Sequence, residues 1–207
     1  MRLLTSKNHK TQKSIKQGYL TGILHLAPSN LSGVMNTCPF ASKGCRAACL
    51  NTSGYGVYKR TQDARIKKTK WFYKDRKGFI KQLIKDIEAL ERKAKREHLI
   101  PCVRLNGTSD IPWEQYNIIQ RFPHIKFYDY TKNIKRMASN SLAQNIPNYH
   151  LIFSRSETNE KHIPKLLKSK KSIAVVFRDK LPKTFFGAKV INGEKNDLRF
   201  WKTRVWW

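Results

Sequence analysis

Residues 102–110 read CVRLNGTSD, a short apolar run that leaves its core through polar and charged residues. The pattern returns in IKFYDYTKN (125–133), YHLIFSRSETNE (149–160) and SIAVVFRDK (172–180), with starts spaced 23, 24 and 23 residues apart. Each gap has room for one helix and two short loops. Strands alternating with helices at that interval predict βα units and a parallel sheet with right-handed crossovers. Upstream, GYLTGILHLAP (18–28) reads as a first strand closed by Pro28, and GAKVIN (187–192) as a candidate sixth.

A complete eightfold barrel takes about 250 residues, and this chain has 207. The expected fold is therefore α/β, a partial or shortened (β/α) barrel of mainly parallel strands, with a cysteine loop after the first strand. Residues 1–17 read as a basic N-terminal arm and 18–207 as a single barrel-like domain. From Thr69 to about Arg96 the apolar residues Phe79, Leu83, Ile87, Leu90 and Ala94 recur at spacings of three and four, which predicts one long amphipathic helix.

In parallel α/β folds, sites are built at the carboxyl ends of the strands. Asn106, Asp110, Asp129, Tyr130, Lys132, Ser154 and Arg155 should converge on one such rim. Asp110, Asp129, Tyr130 and Lys132 are the catalytic candidates; Asn106, Thr108, Ser154 and Arg155 are candidates for holding a cofactor. Asp110, just before Pro112, also reads as a helix cap with Glu114 in the first turn, worth about 1 kcal/mol. Asp129 lies in an apolar strand, where an unpaired charge is costly, so Lys132 or Arg104 is expected beside it.

Three of the four cysteines, Cys38, Cys45 and Cys49, fall within twelve residues as C-x6-C-x3-C. If GCRAACL (44–50) opens a helix, Cys45 and Cys49 share one face and the preceding loop must return Cys38 to them. In a reducing cytoplasm such a cluster holds metal more readily than disulfides. Three thiolates leave one coordination position open. That suits a [4Fe-4S] cluster, or zinc completed by a fourth ligand such as His25. Cys102 begins a strand, whereas the cysteine loop follows the end of one, which separates them by about 13 Å along a four-residue strand; it reads as a small core residue.

The chain carries 42 Lys and Arg against 14 Asp and Glu, a formal charge of +28. So large an excess repels itself in a compact fold unless a polyanion neutralises it, which points to DNA or RNA as partner. In GYGVYKR (54–60), Tyr55, Tyr58, Lys59 and Arg60 mix rings with cations, as a stacking and phosphate-gripping surface requires. WKTRVWW (201–207) reads as a staple closing the barrel. With no apolar run of about 18 residues and no signal-peptide pattern, membrane association is not expected. The host cytoplasm is the expected compartment, and oligomeric state is not legible.

The placing of the cysteine loop, with NGTSD after the second strand, resembles the radical S-adenosylmethionine enzymes, whose common spacing is C-x3-C-x2-C. That resemblance implies a [4Fe-4S] cluster on Cys38, Cys45 and Cys49 and S-adenosylmethionine as a cofactor. More closely, CPFASKGCRAACL, RLNGTSDIPWE, FYDYTK, FSRSETNE and VINGEKNDLRF resemble a family of phage and plasmid proteins named after gene product eighty-eight of a mycobacteriophage. This second resemblance implies a viral or mobile-element origin. The combined reading is a phage iron-sulfur enzyme acting on nucleic acid. Its alternatives are a DNA- or RNA-binding protein with a structural metal, and a metal-dependent nuclease using Asp110, Glu114 and Asp129.

Overall fold

The computed structural model describes residues 1–6, 9–193, 198–200 and 205–206. In chain order its regular elements are β1 (Leu4–Thr5), α1 (His9–Ile15), β2 (Tyr19–Leu24), α2 (Lys43–Ala47), α3 (Lys59–Lys74), α4 (Arg76–Arg96), β3 (Ile100–Arg104), β4 (Lys126–Thr131), β5 (Tyr149–Ser154), α5 (Ile163–Lys168), β6 (Ile173–Ala174), β7 (Thr184–Phe185), β8 (Ala188–Ile191) and β9 (Val205–Trp206). The strands form one sheet in the order β1-β2-β3-β4-β5-β6-β9-β8-β7. From β2 to β6, and on through β9 to β8, neighbours run parallel, whereas β1 and β7 join the two edges antiparallel. The mostly parallel sheet is present as expected; among the described residues no pairing links its two edges, and the partial barrel is not confirmed.

Strand periodicity divides the side chains between two faces. Leu20, Leu24, Val103, Phe127, Leu151, Phe153 and Ile173 join the main core, beneath the helices. Cys102, Tyr128 and Ile152 point the other way, into a smaller cluster covered by Leu198 and Phe200. Phe200 lies 5.4 Å from the Tyr19 ring and 5.9 Å from the Tyr128 ring. Cys102 is the buried small residue expected of it, 3.1 Å from the Thr21 hydroxyl.

The apolar stripe Phe79, Leu83, Ile87, Leu90 and Ala94 is buried throughout and lays α4 across β2 and β3. That approach requires Gly22, because a Cβ there would stand 2.8 Å from a Leu90 methyl. The single long helix expected from Thr69 is in fact two. Asp75 leaves helical geometry (φ −136°, ψ 78°) and accepts from the Gly78 amide at 2.9 Å, so its carboxylate caps α4 and breaks the chain at that point.

The crossovers also differ from expectation. Helices α2, α3 and α4 join β2 to β3, and α5 joins β5 to β6, whereas the β3–β4 and β4–β5 connections contain 3-10 turns at Trp113–Tyr116, Ile134–Met137 and Leu142–Gln144. Both connections carry prolines and the second is rich in Asn and Ser, residues that trade helical bonds for local turns. The N-terminal arm supplies β1 and α1, with Leu3 and Leu4 in the core. Of the terminal WKTRVWW, Val205 and Trp206 form β9; the rest, and with it the staple reading, lies outside the described residues.

Candidate functional site

The loop leaving β3 is organised by Asn106. Its Oδ1 accepts from Ser109 Oγ at 2.8 Å, Ile111 N at 2.9 Å and Trp113 Nε1 at 3.1 Å, while its Nδ2 donates to Ile111 O at 2.9 Å. Thr108 Oγ1 donates to Leu26 O at 2.6 Å. Gly107 is obligatory between them: a Cβ would meet Leu24 O and His25 Cδ2, both at 2.7 Å. Two of the four side chains expected to hold a cofactor, Asn106 and Thr108, therefore spend these hydrogen bonds shaping the loop.

That loop and the end of β5 carry the cysteine segment. Asp110 N donates to Thr37 O at 2.8 Å, Cys38 Sγ lies 3.6 Å from Thr108 O, and Gly44 N donates to Glu157 Oε1 at 2.9 Å. The segment thus spans the carboxyl ends of the strands, with Cys38 beside Asp110 and Cys45 beside Lys132. Cys49 has left α2: it is extended (φ −66°, ψ 136°) and begins a 3-10 turn, so it does not share a helical face with Cys45. Burial raises the Cys38 thiol, and Asp110 and Cys49 add to that. Burial likewise raises Cys45. Neither is an activated thiolate. Among the described residues no three His, Cys, Asp or Glu side chains stand close enough to share a metal ion. The three cysteines are thus not gathered into such a group as placed, and His25 meets the Thr5 hydroxyl at 3.4 Å.

The carboxylates proposed for catalysis are bound up around a residue that sequence reading missed. Arg136 grips Glu114 with both oxygens, Nε to Oε1 at 2.8 Å and Nη2 to Oε2 at 2.7 Å. Its Nη1 donates to Asp110 Oδ1 and its Nη2 to the Tyr149 hydroxyl, at 2.8 and 2.9 Å. Tyr149 donates onward to Asp129 Oδ2 at 3.1 Å, and Asn106 N reaches Asp129 Oδ1 at 2.6 Å. Asp110 is no helix cap; its second oxygen accepts from Lys132 N at 2.9 Å. The hydrogen-bond partners of Asp129 are Asn106 and Tyr149; of the two cations expected beside it, Arg104 bears on its charge, whereas Lys132 Nζ turns to Ser154. Burial pushes the Asp129 carboxyl up to about 7, against the opposing pull of the Asn106 amide, Arg104, Arg136 and Tyr149. Arg136 thus stands between Glu114 and Asp110 as their counter-charge and links them, through Tyr149, to Asp129.

The remaining candidates divide between faces. Tyr130 points away from Asp129; Arg104 lies 4.6 Å over its ring and Arg199 Nε donates to its hydroxyl at 2.6 Å. Lys132 Nζ donates to Ser154 Oγ at 2.9 Å and to Arg155 O at 3.2 Å, and Arg155 pairs with Glu160. The rim therefore holds itself together through Asp110, Lys132, Ser154 and Arg155.

The four nucleic-acid candidates lie elsewhere and are open. Tyr55 is 72% exposed and Tyr58 60%, with ring centroids 6.2 Å apart. Lys43, Arg46, Lys59 and Arg60 are exposed beside them along the chain. The Lys59–Asp63 pair, at 3.3 Å and highly exposed, ties up little charge.

These features define an α/β protein with a mostly parallel sheet, a self-braced rim and an aromatic, cationic surface ahead of α3. The chain belongs to the Gene product 88 family, whose profile matches residues 2–207. No curated protein and no solved structure matches it. No helix among the described residues is long and apolar enough to cross a membrane.

Proposed function

We propose that this protein binds nucleic acid in the host cytoplasm through the surface between α2 and α3. The observation that carries the reading is the exposed Tyr55–Tyr58 pair, two rings held open to solvent and followed directly in the chain by the exposed Lys59 and Arg60. Rings so placed offer bases a stacking platform, and the cations accompany the backbone. A net charge of +28 supplies the long-range attraction. Fluorescence anisotropy with labelled single-stranded and duplex oligonucleotides tests this. Affinity should fall steeply between 50 and 200 mM salt, of order 10³-fold for about six phosphate contacts. Tyr55→Ala with Tyr58→Ala should weaken single-strand binding by about tenfold or more without lowering the melting temperature, since stacking is worth about 1–3 kcal/mol per base. Binding that ignores both substitutions refutes this surface.

A metal-dependent enzyme is a second reading, favoured by Cys49 bearing on the charge of both Cys38 and Cys45 at the rim. It requires the segment to close further. Anaerobic purification with iron, sulfide and zinc analysis decides it: alanine at any of the three should abolish bound metal, and Cys102→Ala should retain it. Metal-free protein from iron- and zinc-supplemented cells removes this reading and leaves the nucleic-acid surface untouched.

A further inference from the structure

One face of α4 stays open. Phe79, Leu83 and Ile87 turn the helix into the core, but Ile80 and Ile84, one turn apart, are only partly covered and floor a groove of about 770 Å³. The opposite wall carries Tyr116, from the 3-10 turn Trp113–Tyr116, and Arg121. Between these two, Asn117 turns the chain in the left-handed region at φ 54°. Arg76 lies 5.8 Å over the Tyr116 ring and 4.8 Å over that of Phe72, which packs edge-on to Tyr116 at 5.9 Å. Tyr116 is thus fixed, with a ring face already occupied. Lys77, Lys81 and Lys85, each one turn from the next, stand exposed along the α4 side. Among the described residues neither these lysines nor Arg76 and Arg121 reach a carboxylate within ion-pair distance, whereas further along α4 Glu91 pairs with His124 and Lys93 with Glu97. Glu88, at the far end, is the only acid among the described lining residues.

Unpaired cations around an apolar floor match a ligand that is apolar along its middle and negative on its flanks. We propose that the groove between α4 and the turn Trp113–Tyr116 docks an acidic amphipathic helix of a partner protein. The length agrees: from Arg76 to Glu88 α4 rises about 18 Å, roughly three helical turns. Apolar residues of the partner at i, i+3, i+4 and i+7 would lie over Ile80 and Ile84, with Asp or Glu on either side facing the cations. Nucleic acid matches only half of this. Its phosphates suit the cations, but its bases stack on open rings, and here the floor is aliphatic and Arg76 covers the Tyr116 face. A second copy of this chain, itself at +28, would be repelled. The groove lies on other elements than Tyr55 and Tyr58, so either proposal can fail alone.

Fluorescence anisotropy tests this with a labelled helical peptide of about four turns, Leu at i, i+3, i+4 and i+7 and Glu on its flanks, against a scrambled peptide of the same composition and charge. The ordered peptide should bind the parent about tenfold more tightly, because only it buries an apolar stripe on Ile80 and Ile84. Lys81→Gln with Lys85→Gln should weaken it by at least about threefold. Arg92→Gln with Lys95→Gln, an equal loss of charge from exposed positions of α4 outside the groove, should leave it unchanged, as should Tyr55→Ala with Tyr58→Ala. Ile84→Thr should shrink the advantage of the ordered peptide over the scrambled one; should it not fold, the lysine pair decides alone. Equal binding of the two peptides overturns the proposal, leaving only general attraction to the +28 charge. Equal weakening by the two charge-removing pairs overturns it too. Single-stranded DNA or phosphatidylserine vesicles whose own binding falls with the Lys81 and Lys85 pair but not with the Arg92 and Lys95 pair reassign the groove to nucleic acid or to a lipid surface. A parent dimer in sedimentation that Ile84→Thr dissolves reassigns it to a second copy.

Discussion

Asp129 gives the most direct access to the physics of the rim. Its carboxyl ordinarily titrates at 3.8 and is pushed up to about 7 in the folded chain, chiefly by burial. Below 3.8 the folded and unfolded states are both protonated at this position. Between 3.8 and 7 the folded state keeps a proton that the unfolded state releases, so stability falls as pH rises; above 7 the loss is complete. At about 1.4 kcal/mol per pH unit the whole interval corresponds to about 4 kcal/mol. Asp129→Asn cannot titrate, and keeps one acceptor for the Asn106 amide or the Tyr149 hydroxyl. Loss of the other bond costs about 1 kcal/mol. The variant should therefore melt lower than the parent at pH 4 and higher at pH 8. For a chain of this size about 1 kcal/mol moves the melting temperature by roughly 2–4 °C, so the difference between the two proteins should swing by roughly 8–16 °C. Every other ionisable group is common to both and drops out of that difference. Melts followed by circular dichroism from pH 4 to 8 measure it directly. A parent–variant difference that does not change with pH refutes the argument.

Replacing Arg136 with Met should destabilise the fold by about 3–5 kcal/mol, read by urea denaturation, because Glu114 is left buried and unpaired and Asp110 loses its guanidinium partner; a loss under 1 kcal/mol would show that the carboxylates are free to serve elsewhere. Gly107→Ala should cost more than about 1 kcal/mol by the same assay and disturb the NGTSD loop, since its Cβ would lie 2.7 Å from a backbone oxygen; a neutral result would mean that this loop yields.

Strands were legible where apolar runs are bounded by polar residues: the readings at 102, 125, 149 and 172 fall within two residues of β3, β4, β5 and β6. Helices were less so. The stripe from Phe79 to Ala94 identifies the buried face of α4, but in sequence nothing separates Asp75 from a surface charge; only in the fold does Gly78 N donate to its carboxylate. In the site, alternation along a strand already placed Asp129 and Tyr130 on opposite faces, a signal the convergent-rim reading overlooked. Arg136 was beyond reach. It sits in NIKRMAS among dozens of basic residues, and only the folding of Glu114 and Tyr149 onto it, 22 and 13 residues away, makes it a hub.

The position of β9 has a mechanical consequence. Among the described residues the β7–β8 hairpin has no ladder to β6; it is joined through β9, whose Val205 and Trp206 pair Ile173 and Ala174 on one side and Val190 and Ile191 on the other. Beyond those ladders it is held by packing such as the Phe177–Phe185 ring contact. Few main-chain bonds must break for this leaf to swing away while the sheet from β1 to β6 stays intact. Amide hydrogens of Val190 and Ile191 will therefore exchange through local opening, at a smaller free energy than those of β4 and β5, which share a five-residue register. The sheet thus has a built-in seam, and under load or heat the molecule parts there first.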